Sequence, residues 1–317
     1  MQQTGSPIML DGASVEKLLP RLDVLAELRV LFRALGEGKA VQPSQTVTEF
    51  PSKDGDFISY LGAIEATGVF GAKLSPYIVT DATPIITAWT VLMSMRTGQP
   101  LVWCDAARLT TERTAGTTAL AVDCLAKADA KHLAIIGSGA IAQAHLRHVL
   151  SLRSWTRITV YSPSLATDTG RQSKWRALSD LVSFTGDAAS SVKDADVVLL
   201  CTSSATSVIN PDDIGKPALV TSISTNAPGA HEVPPEFLGL ADVYCDYAPT
   251  TPAVASEMRL AAADHGWSPD RIRGDLGTLV CGQAPVPAYD RPVYFRSVGL
   301  GLEDIAMAHG IWRLSQA

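Results

Sequence analysis

The chain has 317 residues, of which 46% are apolar and 18% charged, and its formal net charge is −6 at pH 7. This length accommodates two domains with buried cores. The acidic balance argues against a nucleic-acid or anionic-membrane surface, because such surfaces need clustered Lys and Arg. Five scattered cysteines, none in a CxxC pair, are typical of reduced thiols in the cytosol. The N-terminus lacks a secretory pattern, and no apolar run approaches the roughly 20 residues that span a bilayer, so a cytoplasmic protein without membrane segments is expected.

The first part of the chain combines one helical pattern with several short strands. Apolar residues at helical spacing predict a single amphipathic helix over 15–36, ended by Gly36 and Gly38. From about residue 40 to 105, short β-rich runs punctuated by Pro and Gly predict an antiparallel or mixed sheet. A further helix is expected over 117–126.

Beyond this helix, strands alternate with helices. The short apolar runs are LAIIG (133–137), RITVYS (157–162), ADVVLLCTSS (195–204), ALVTSIST (218–225) and ADVYCDY (241–247). Such alternation predicts an α/β domain whose parallel sheet is covered on both faces. A last helix begins near Leu302, and we assign it to the first domain because the two ends of a chain often pack together around an inserted unit.

The stretch IIGSGAIAQAH (135–145) follows a predicted strand and opens a predicted helix. Gly137 permits a tight turn, Gly139 lets the backbone approach a pyrophosphate, and Ala142 allows close packing of helix on strand. The free N–H groups and the positive end of the helix then face the phosphates. The pattern therefore predicts a Rossmann-type dinucleotide site, with a purely structural turn as the alternative.

The end of the second strand bears on the choice between NADP and NAD. An NAD site usually has an acidic residue about 20 positions beyond the glycines. Here the strand ends in YSPS (161–164), and the first carboxylate is Asp168. Ser162 is followed by three basic residues: Arg171, Lys174 and Arg176. This combination tolerates a 2′-phosphate, so NADP is predicted, with NAD possible; the alternative is that the basic residues form one solvated helix face.

Five stretches together resemble the ornithine cyclodeaminase/μ-crystallin family in order and spacing, over nearly the whole chain. They are GAKLSPY (71–77), RTGQPLVWCDAARLTTERTAGTTALA (96–121), IIGSGAIAQAH (135–145), STNAPGAHEV (224–233) and SVGLGLEDIA (297–306). Members of this family include ornithine cyclodeaminases, cyclic-imine reductases and L-amino acid dehydrogenases, which handle a Cα–N bond with a nicotinamide.

The resemblance implies a homodimer of the α/β class. A Rossmann-type doubly wound parallel sheet, residues 116–293, would be inserted in a second, α+β domain for substrate binding and dimerisation, residues 1–115 plus 294–317. The predicted cofactor-binding residues are Thr114, Gly137, Ser138, Gly139, Ala140, Ile141, Ser162, Thr202, Ser203, Ser224 and Gly299.

The resemblance also places Lys73 and Arg113 at the carboxylate of the substrate. Arg offers a two-pronged fork to a carboxylate, and a Lys ammonium beside it supplies charge and a proton. Burial and the adjacent Arg would lower the pKa of Lys73, which suits acid–base work at an imine nitrogen. The structural alternative is an ordinary ion pair or an exposed lysine.

Two positions depart from the family pattern. Gln45 stands where the family often has an Arg that helps to hold the carboxylate; it can donate hydrogen bonds but brings no charge. Asn226 stands where the cyclodeaminases have a catalytic aspartate, and an amide cannot take up a proton. This second departure ranks cyclodeaminase below dehydrogenase or imine reductase, while Asn226 remains a candidate catalytic residue.

The acidic stretch TEFPSKDGDF (48–57) contains Asp56, a candidate for binding a substrate guanidinium or ammonium, with a solvated loop as the alternative.

No metal site is expected, since the His145–His148 pair lacks a third ligand nearby and is expected to be mostly exposed. His231 and Glu232 are expected to orient a loop.

The predicted function is NAD(P)-dependent oxidation of the CH–NH2 bond of an L-amino acid, with L-arginine favoured. A cyclic ketimine reductase, an ornithine cyclodeaminase and a non-catalytic μ-crystallin-like binding protein are the alternatives. The expected partners are a small amino acid or imine and a second copy of the chain.

Overall fold

The computed structural model describes residues 6–224 and 229–317. The chain divides into two compact units, Met1–Arg113 with Gly299–Ala317, and Thr114–Val298. The first predicted boundary, 115/116, lies two residues from the observed division. The second, 293/294, falls inside the strand Val293–Arg296, which belongs to the sheet of the second unit.

The helices and strands are numbered in chain order. The helices are α1 (Gly12–Leu18), α2 (Val24–Gly36), α3 (Ala107–Leu125), α4 (Ala140–Val149), α5 (Thr169–Arg176), α6 (Ala188–Val192), α7 (Phe237–Leu240), α8 (Thr251–Val254), α9 (Ser256–Asp264), α10 (Leu276–Val280) and α11 (Gly301–Ser315). The strands are β1 (Ile8–Leu10), β2 (Ala40–Val41), β3 (Thr46–Glu49), β4 (Gly55–Ile64), β5 (Val69–Ile78), β6 (Ile85–Ile86), β7 (Trp89–Ser94), β8 (Pro100–Asp105), β9 (His132–Ile136), β10 (Arg157–Tyr161), β11 (Val182–Thr185), β12 (Val197–Leu200), β13 (Leu219–Ser222), β14 (Asp242–Cys245), β15 (Ile272–Asp275) and β16 (Val293–Arg296).

The first unit is built on a mixed sheet in the order β1-β8-β7-β5-β4-β2, with β3 also paired to β4 and β6 to β5. Its pairs are antiparallel except β1 with β8. Two strand glycines let α11 pack closely against one face. A Cβ on Gly62 would lie 2.9 Å from Leu302, and one on Gly71 would lie 2.9 Å from Ile305. The N-terminal turn of α11 is thereby brought onto the face that carries Lys73.

The prediction of one helix over 15–36 is wrong, because the chain breaks there into α1, a single 3-10 turn at Leu19–Arg21 and α2. Pro20 lies in that turn, and proline lacks the N–H that a continuous helix would need. The Asp23 side chain then accepts from Ala26 N at 3.0 Å and caps the start of α2. The apolar spacing does correspond to helix on both sides of the break, but Pro20 and the Asp23 cap divide it into two helices.

The second unit confirms the predicted doubly wound parallel sheet. Its strands run in the order β11-β10-β9-β12-β13-β16-β14-β15, and its pairs are all parallel. The order reverses at β9, which lies between β10 and β12. In such sheets, ligands bind in the crevice at the carboxyl ends of the strands beside this reversal. The glycine-rich turn directly follows β9, so the fold places it at this crevice. In the part of the chain that the structure describes, no helix has both the length and the apolar character needed to cross a bilayer.

Candidate active site

The turn after β9 needs glycine at two positions for different reasons. Gly137 has a φ of +120°, and a Cβ there would lie 2.3 Å from the Cys201 carbonyl oxygen, so a side chain is excluded. A Cβ on Gly139, by contrast, would meet no described atom within 4 Å. Gly139 is the N-cap of α4, and its own lack of a side chain leaves the first N–H groups of this ten-residue helix open to a ligand. This cradle fits the pyrophosphate of a dinucleotide.

A cleft of about 630 Å³ opens beside this turn. Most of the predicted cofactor-binding residues line it: Gly137, Ser138, Gly139, Ile141, Ser162, Thr202, Ser203 and Ser224. Ala140 begins α4, and Thr114 is buried within α3. The volume lies within the usual range for small-molecule and cofactor sites, about 300–1,000 Å³.

One arginine is organised at the rim of the cleft, beyond the end of β10. Arg171 donates from Nη1 to Ser138 Oγ at 3.2 Å and from Nη2 to Ser164 Oγ at 2.8 Å. Ser138 Oγ in turn donates to Ser162 Oγ at 2.9 Å, and Asp168 Oδ2 accepts from Arg171 Nε at 2.6 Å. A guanidinium and three hydroxyl groups are thus gathered where the 2′ position of an adenosine ribose is bound in this fold.

The other two basic residues predicted there lie apart from this group. Lys174 and Arg176 are exposed on α5, and the Arg176 guanidinium lies 5.2 Å from the centre of the Phe184 ring. The alternative of a solvated basic face therefore describes these two side chains, whereas Arg171 faces the serines.

The first unit contains a buried cluster of four charged side chains. Lys73 Nζ lies 2.8 Å from Asp304 Oδ2. Arg113 reaches both acidic residues of the cluster, with Nη1 2.9 Å from Glu303 Oε2 and Nε 3.3 Å from Asp304 Oδ1. All four residues are buried, and Lys73 retains only 1% of its exposure. Two cations and two carboxylates therefore neutralise one another away from water.

Strand register and one glycine assemble this cluster. Lys73 on β5 lies opposite Tyr60 on β4, and its ammonium is 4.2 Å from the centre of the Tyr60 ring. Gly299, which precedes α11, has a φ of +81°, and a Cβ there would lie 2.3 Å from Arg113 Nη1. Gly299 was predicted to bind the cofactor; within the first unit it makes room for Arg113.

The environment perturbs the acid–base chemistry of the cluster. Burial lowers the pKa of Lys73 to about 8; Asp304 opposes this shift and Arg113 adds to it. Burial also acts to lower the pKa of Arg113, but Asp304 and Glu303 outweigh it, so the guanidinium stays charged. Lys73 can therefore exchange a proton near neutral pH, while Arg113 serves only as a fixed cation.

Three further predicted substrate or catalytic residues are placed as follows. Gln45 is half-buried in the loop between β2 and β3. Asp56 is half-buried on β4, opposite Glu49 on β3, and shares a sheet face with Tyr60 because the two are four residues apart on one strand. Asn226 lies outside the described residues.

The expectation that the two histidines of α4 are mostly exposed is wrong for His145, which is fully buried. Its Nε2 lies 3.0 Å from Thr118 Oγ1 and its Nδ1 lies 2.7 Å from Ile141 O, so the ring joins α4 to α3. His148 is half-buried. Of these two histidines, which lie three residues apart on α4, the ring of His145 is thus turned inward against α3.

Sequence reasoning missed Glu303 and Gln42. Glu303 binds Arg113, and Gln42 Oε1 accepts from Leu302 N at 3.1 Å, beside the start of α11. The detectable signal for Glu303 was a pair of adjacent acidic residues in the first turn of a helix after a glycine-rich segment. Gln42 gave no signal, because its partner lies at the other end of the chain.

A doubly wound sheet with a glycine-lined cleft beside its reversal of strand order is the architecture of dinucleotide-binding proteins. The chain belongs to the ornithine cyclodeaminase/mu-crystallin family, whose model matches residues 6–315. The family resemblance drawn from the five motifs is thus confirmed.

The chain is similar to several individual members of this family. The chain is 55% identical over 312 residues, 98% of each sequence, to the NAD(P)H-dependent anabolic L-arginine dehydrogenase DauB of Pseudomonas aeruginosa. It is 23% identical to a Delta(1)-pyrroline-2-carboxylate reductase of Colwellia psychrerythraea, over 77% of this chain and 79% of the relative. The Thermococcus litoralis Delta(1)-pyrroline-2-carboxylate reductase, solved in complex with NADH and L-proline, matches with a TM-score of 0.89 over 98% of this chain and 97% of that one. At 20% identity this last likeness concerns the fold alone.

Proposed function

We propose that the protein is an NAD(P)-dependent L-amino acid dehydrogenase acting on L-arginine, which it converts reversibly to the 2-oxo acid and ammonia. The observation that carries the proposal is the buried pair Lys73 and Arg113, in a chain 55% identical to an L-arginine dehydrogenase over almost its whole length. A lysine with a pKa of about 8 beside a permanent cation is an acid–base group next to an anion site.

The roles of the two cations follow from their chemistry. Arg113 offers parallel N–H donors to a substrate carboxylate, in place of the acidic side chains that it now contacts. Lys73 adds a second positive charge and holds the proton that moves to or from the substrate nitrogen. Its burial keeps bulk water from competing for that proton.

A nicotinamide, when bound, accepts the hydride that leaves Cα or returns it in the reverse direction. In oxidation, the neutral amine of Lys73 accepts the proton that the amino nitrogen loses as the imine forms. In reduction, the Lys73 ammonium donates that proton to the imine nitrogen. Water attacks the imine carbon in oxidation, and ammonia leaves.

NADP is proposed as the preferred cofactor, with NAD as a slower substitute. Arg171, Ser138, Ser162 and Ser164 provide one guanidinium and three hydroxyl groups at the end of β10. Charge-assisted bonds of this kind suit a doubly charged phosphate ester. Asp168 holds Arg171 in place and partly offsets its charge, so some NAD binding is expected to persist.

Asp56 is proposed as part of the recognition of the substrate guanidinium. It faces Glu49 directly across β3 and β4, and two like charges in that register favour a cation between them. Asp56 lies roughly 13 Å along β4 from Tyr60, the residue opposite Lys73, by the usual strand rise. An extended substrate with a carboxylate at one end and a cation at the other suits this face of the sheet.

A homodimer is proposed from the sheet face that α11 leaves uncovered. Strand register aligns one apolar row across five strands: Leu61, Ala72, Val91, Trp103 and Met9. Met9 is 70% exposed and Trp103 41% exposed in the isolated chain. A continuous apolar patch of this kind marks an interface, and a self-complementary sheet face suits two-fold symmetry.

A cytoplasmic location is also proposed. The cysteines are free, as expected in a compartment that keeps thiols reduced.

The test offers the purified protein NADP or NAD with L-arginine, L-lysine, L-ornithine, L-alanine or L-proline, and follows the absorbance of the reduced nicotinamide. NADP reduction fastest with L-arginine supports the proposal, and Lys73→Ala should abolish it. If the amino acids are inert and cyclic imines oxidise NADPH rapidly, ketimine reduction would replace amino acid oxidation as the proposed activity. Proline formed from ornithine would replace it with cyclodeaminase activity, and inactivity throughout would favour a binding protein.

A further inference from the structure

Glu232 is a fully buried carboxylate beside the cofactor cleft, and it accepts five hydrogen bonds from residues that the structure describes. Oε1 accepts from Thr202 N at 2.7 Å and from Thr202 Oγ1 at 2.8 Å. Oε2 accepts from Ser222 Oγ at 2.8 Å, Ile223 N at 3.1 Å and Ser224 N at 2.8 Å. One side chain thus ties together the segments that leave two adjacent strands, β12 and β13.

These two segments form one side of the cleft. Thr202, Ile223 and Ser224 all line it. Ser224 has a φ of +29°, an unusual value for a residue with a side chain, and its N–H bond to Glu232 holds it there. In a doubly wound sheet, the two halves of a dinucleotide lie on opposite sides of the reversal of strand order. Because Arg171 marks the adenosine side, beyond β10, Glu232 underlies the nicotinamide side, beyond β12 and β13.

The hydrogen bonds around Glu232 suit a carboxylate anion. Backbone N–H groups can only donate, and each of its two oxygens receives at least one of them. A buried cation, Arg296, lies beside this network, and its Nη1 lies 3.5 Å from Ser222 O. Arg296 already has a buried acidic partner, since its Nε lies 2.9 Å from Glu257 Oε1. Arg296 also interacts electrostatically with Glu232 and Asp246, so this one buried cation faces three carboxylates and the group beneath the cleft carries excess negative charge.

We infer that Glu232 is a positioning residue for the nicotinamide side of the cleft and that its buried charge selectively stabilises the oxidised, cationic form of the cofactor. Its five bonds fix the two segments that line this side. Its negative charge attracts the positive ring of the oxidised form but not the neutral ring of the reduced form, and burial weakens the screening of this attraction. The inference rests on the proposed function, because it requires a nicotinamide nucleotide in the cleft.

The test measures equilibrium binding to the protein in the absence of amino acid, by calorimetry or tryptophan fluorescence. The probes are NADP⁺, NADPH and 2′,5′-ADP, which carries only the adenosine half. In Glu232→Gln, the affinity for NADP⁺ should fall by about tenfold relative to that for NADPH, the size of effect expected for one buried charge. Affinity for 2′,5′-ADP should stay unchanged.

Ser222→Ala is the matched control, because it removes one donor to Glu232 and leaves the charge in place. It should weaken NADP⁺ and NADPH by the same factor. Should Glu232→Gln fail to fold by circular dichroism, Glu232→Asp takes its place: it keeps the charge on a shorter side chain, so both forms should weaken with their ratio preserved.

Three outcomes would overturn the inference. The ratio of NADP⁺ affinity to NADPH affinity could stay unchanged in Glu232→Gln, or it could fall in Glu232→Asp. Alternatively, either variant could lose as much affinity for 2′,5′-ADP as it loses for NADP⁺. If the unmodified protein binds none of the three probes, the proposed function fails and the inference falls with it. If it binds all three and Glu232→Gln keeps the ratio, the inference alone fails.

Discussion

Lys73 Nζ lies 2.8 Å from Asp304 Oδ2, and both side chains are almost fully buried. The contact joins the middle of a long strand to the first turn of the last helix. Asp304 also binds Arg113, so one carboxylate orients both cations that the proposed reaction uses. The geometry of the proposed substrate site therefore depends on how closely α11 packs on the sheet.

Removal of the Lys73 amine should stop proton transfer while the fold persists. Lys73→Ala is expected to lower kcat for L-arginine oxidation by at least about a hundredfold, the usual contribution of a positioned acid or base. Lys73→Arg keeps the charge, but a guanidinium does not release its proton near neutral pH, so this variant should be nearly as inactive. Steady-state kinetics measure both variants. Near-normal turnover in Lys73→Arg would show that Lys73 acts by charge alone.

Asp304→Asn should shift the pH dependence of the reaction toward lower pH. Asp304 raises the pKa of Lys73 against the larger effect of burial, which brings it to about 8. Without this carboxylate the pKa falls further, so the neutral amine that oxidation requires appears at lower pH. The measurement is the pH profile of kcat/KM for arginine oxidation.

Glu303→Gln is the comparison variant for that profile. Glu303 contacts Arg113 and has a smaller effect than Asp304 on the pKa of Lys73. Its pH profile should move in the same direction but by less. Equal shifts in the two variants, or a shift to higher pH in Asp304→Asn, would refute the assignment of Lys73 as the titrating group.

Arg171→Ala should change the choice of cofactor. The loss of the guanidinium removes the cation expected to meet the 2′-phosphate, so KM for NADP should rise by about tenfold to a hundredfold, as for the loss of charge-assisted bonds. KM for NAD should change little. Arg176→Ala is the matched control, since Arg176 is an exposed arginine on the same helix that packs on Phe184. A similar loss of NADP preference in both variants would support a diffuse basic face instead.

The two glycines of the turn after β9 should respond differently to alanine. Gly137→Ala places a Cβ 2.3 Å from the Cys201 carbonyl oxygen at a φ of +120°, so it is expected to destabilise the fold by about 1–3 kcal/mol or more. Gly139→Ala meets no described atom within 4 Å and should leave stability unchanged, while the added methyl obstructs the pyrophosphate. Thermal unfolding and cofactor titration separate the two effects. A Gly139 variant that binds the cofactor normally would contradict the placement of the phosphates.

A charge placed in the uncovered sheet face should break the proposed dimer. Trp103→Glu puts a carboxylate into the apolar row, where an interface would have to bury it unpaired. Sedimentation should then show monomers. Leu240→Glu is the control, because Leu240 is an exposed apolar residue of the second unit. A protein that sediments as a monomer before any substitution would exclude the dimer.

Much of the second unit could be predicted from local pattern. The alternation of apolar runs with helices predicted the parallel sheet, and the glycine spacing at 137 and 139 predicted the turn. The unit that carries Lys73 was less predictable, since it has short strands with mixed neighbours. Its opening segment forms two helices and not the single one predicted, because Pro20 and the Asp23 cap outweigh a continuous apolar spacing.

The sequence by itself determined the class of fold and the glycine-rich turn, because each of these depends on residues close together in the chain, while the resemblance to the family pointed to the candidate cations Lys73 and Arg113. Only the tertiary structure decided which partners those cations have. Arg113 and Asp304 lie 191 residues apart, so no local pattern links them. The same holds for the segments that Glu232 joins and for the inward turn of His145. A contact between distant residues depends on how whole elements pack, and the free energy of that packing is not a property of any short stretch.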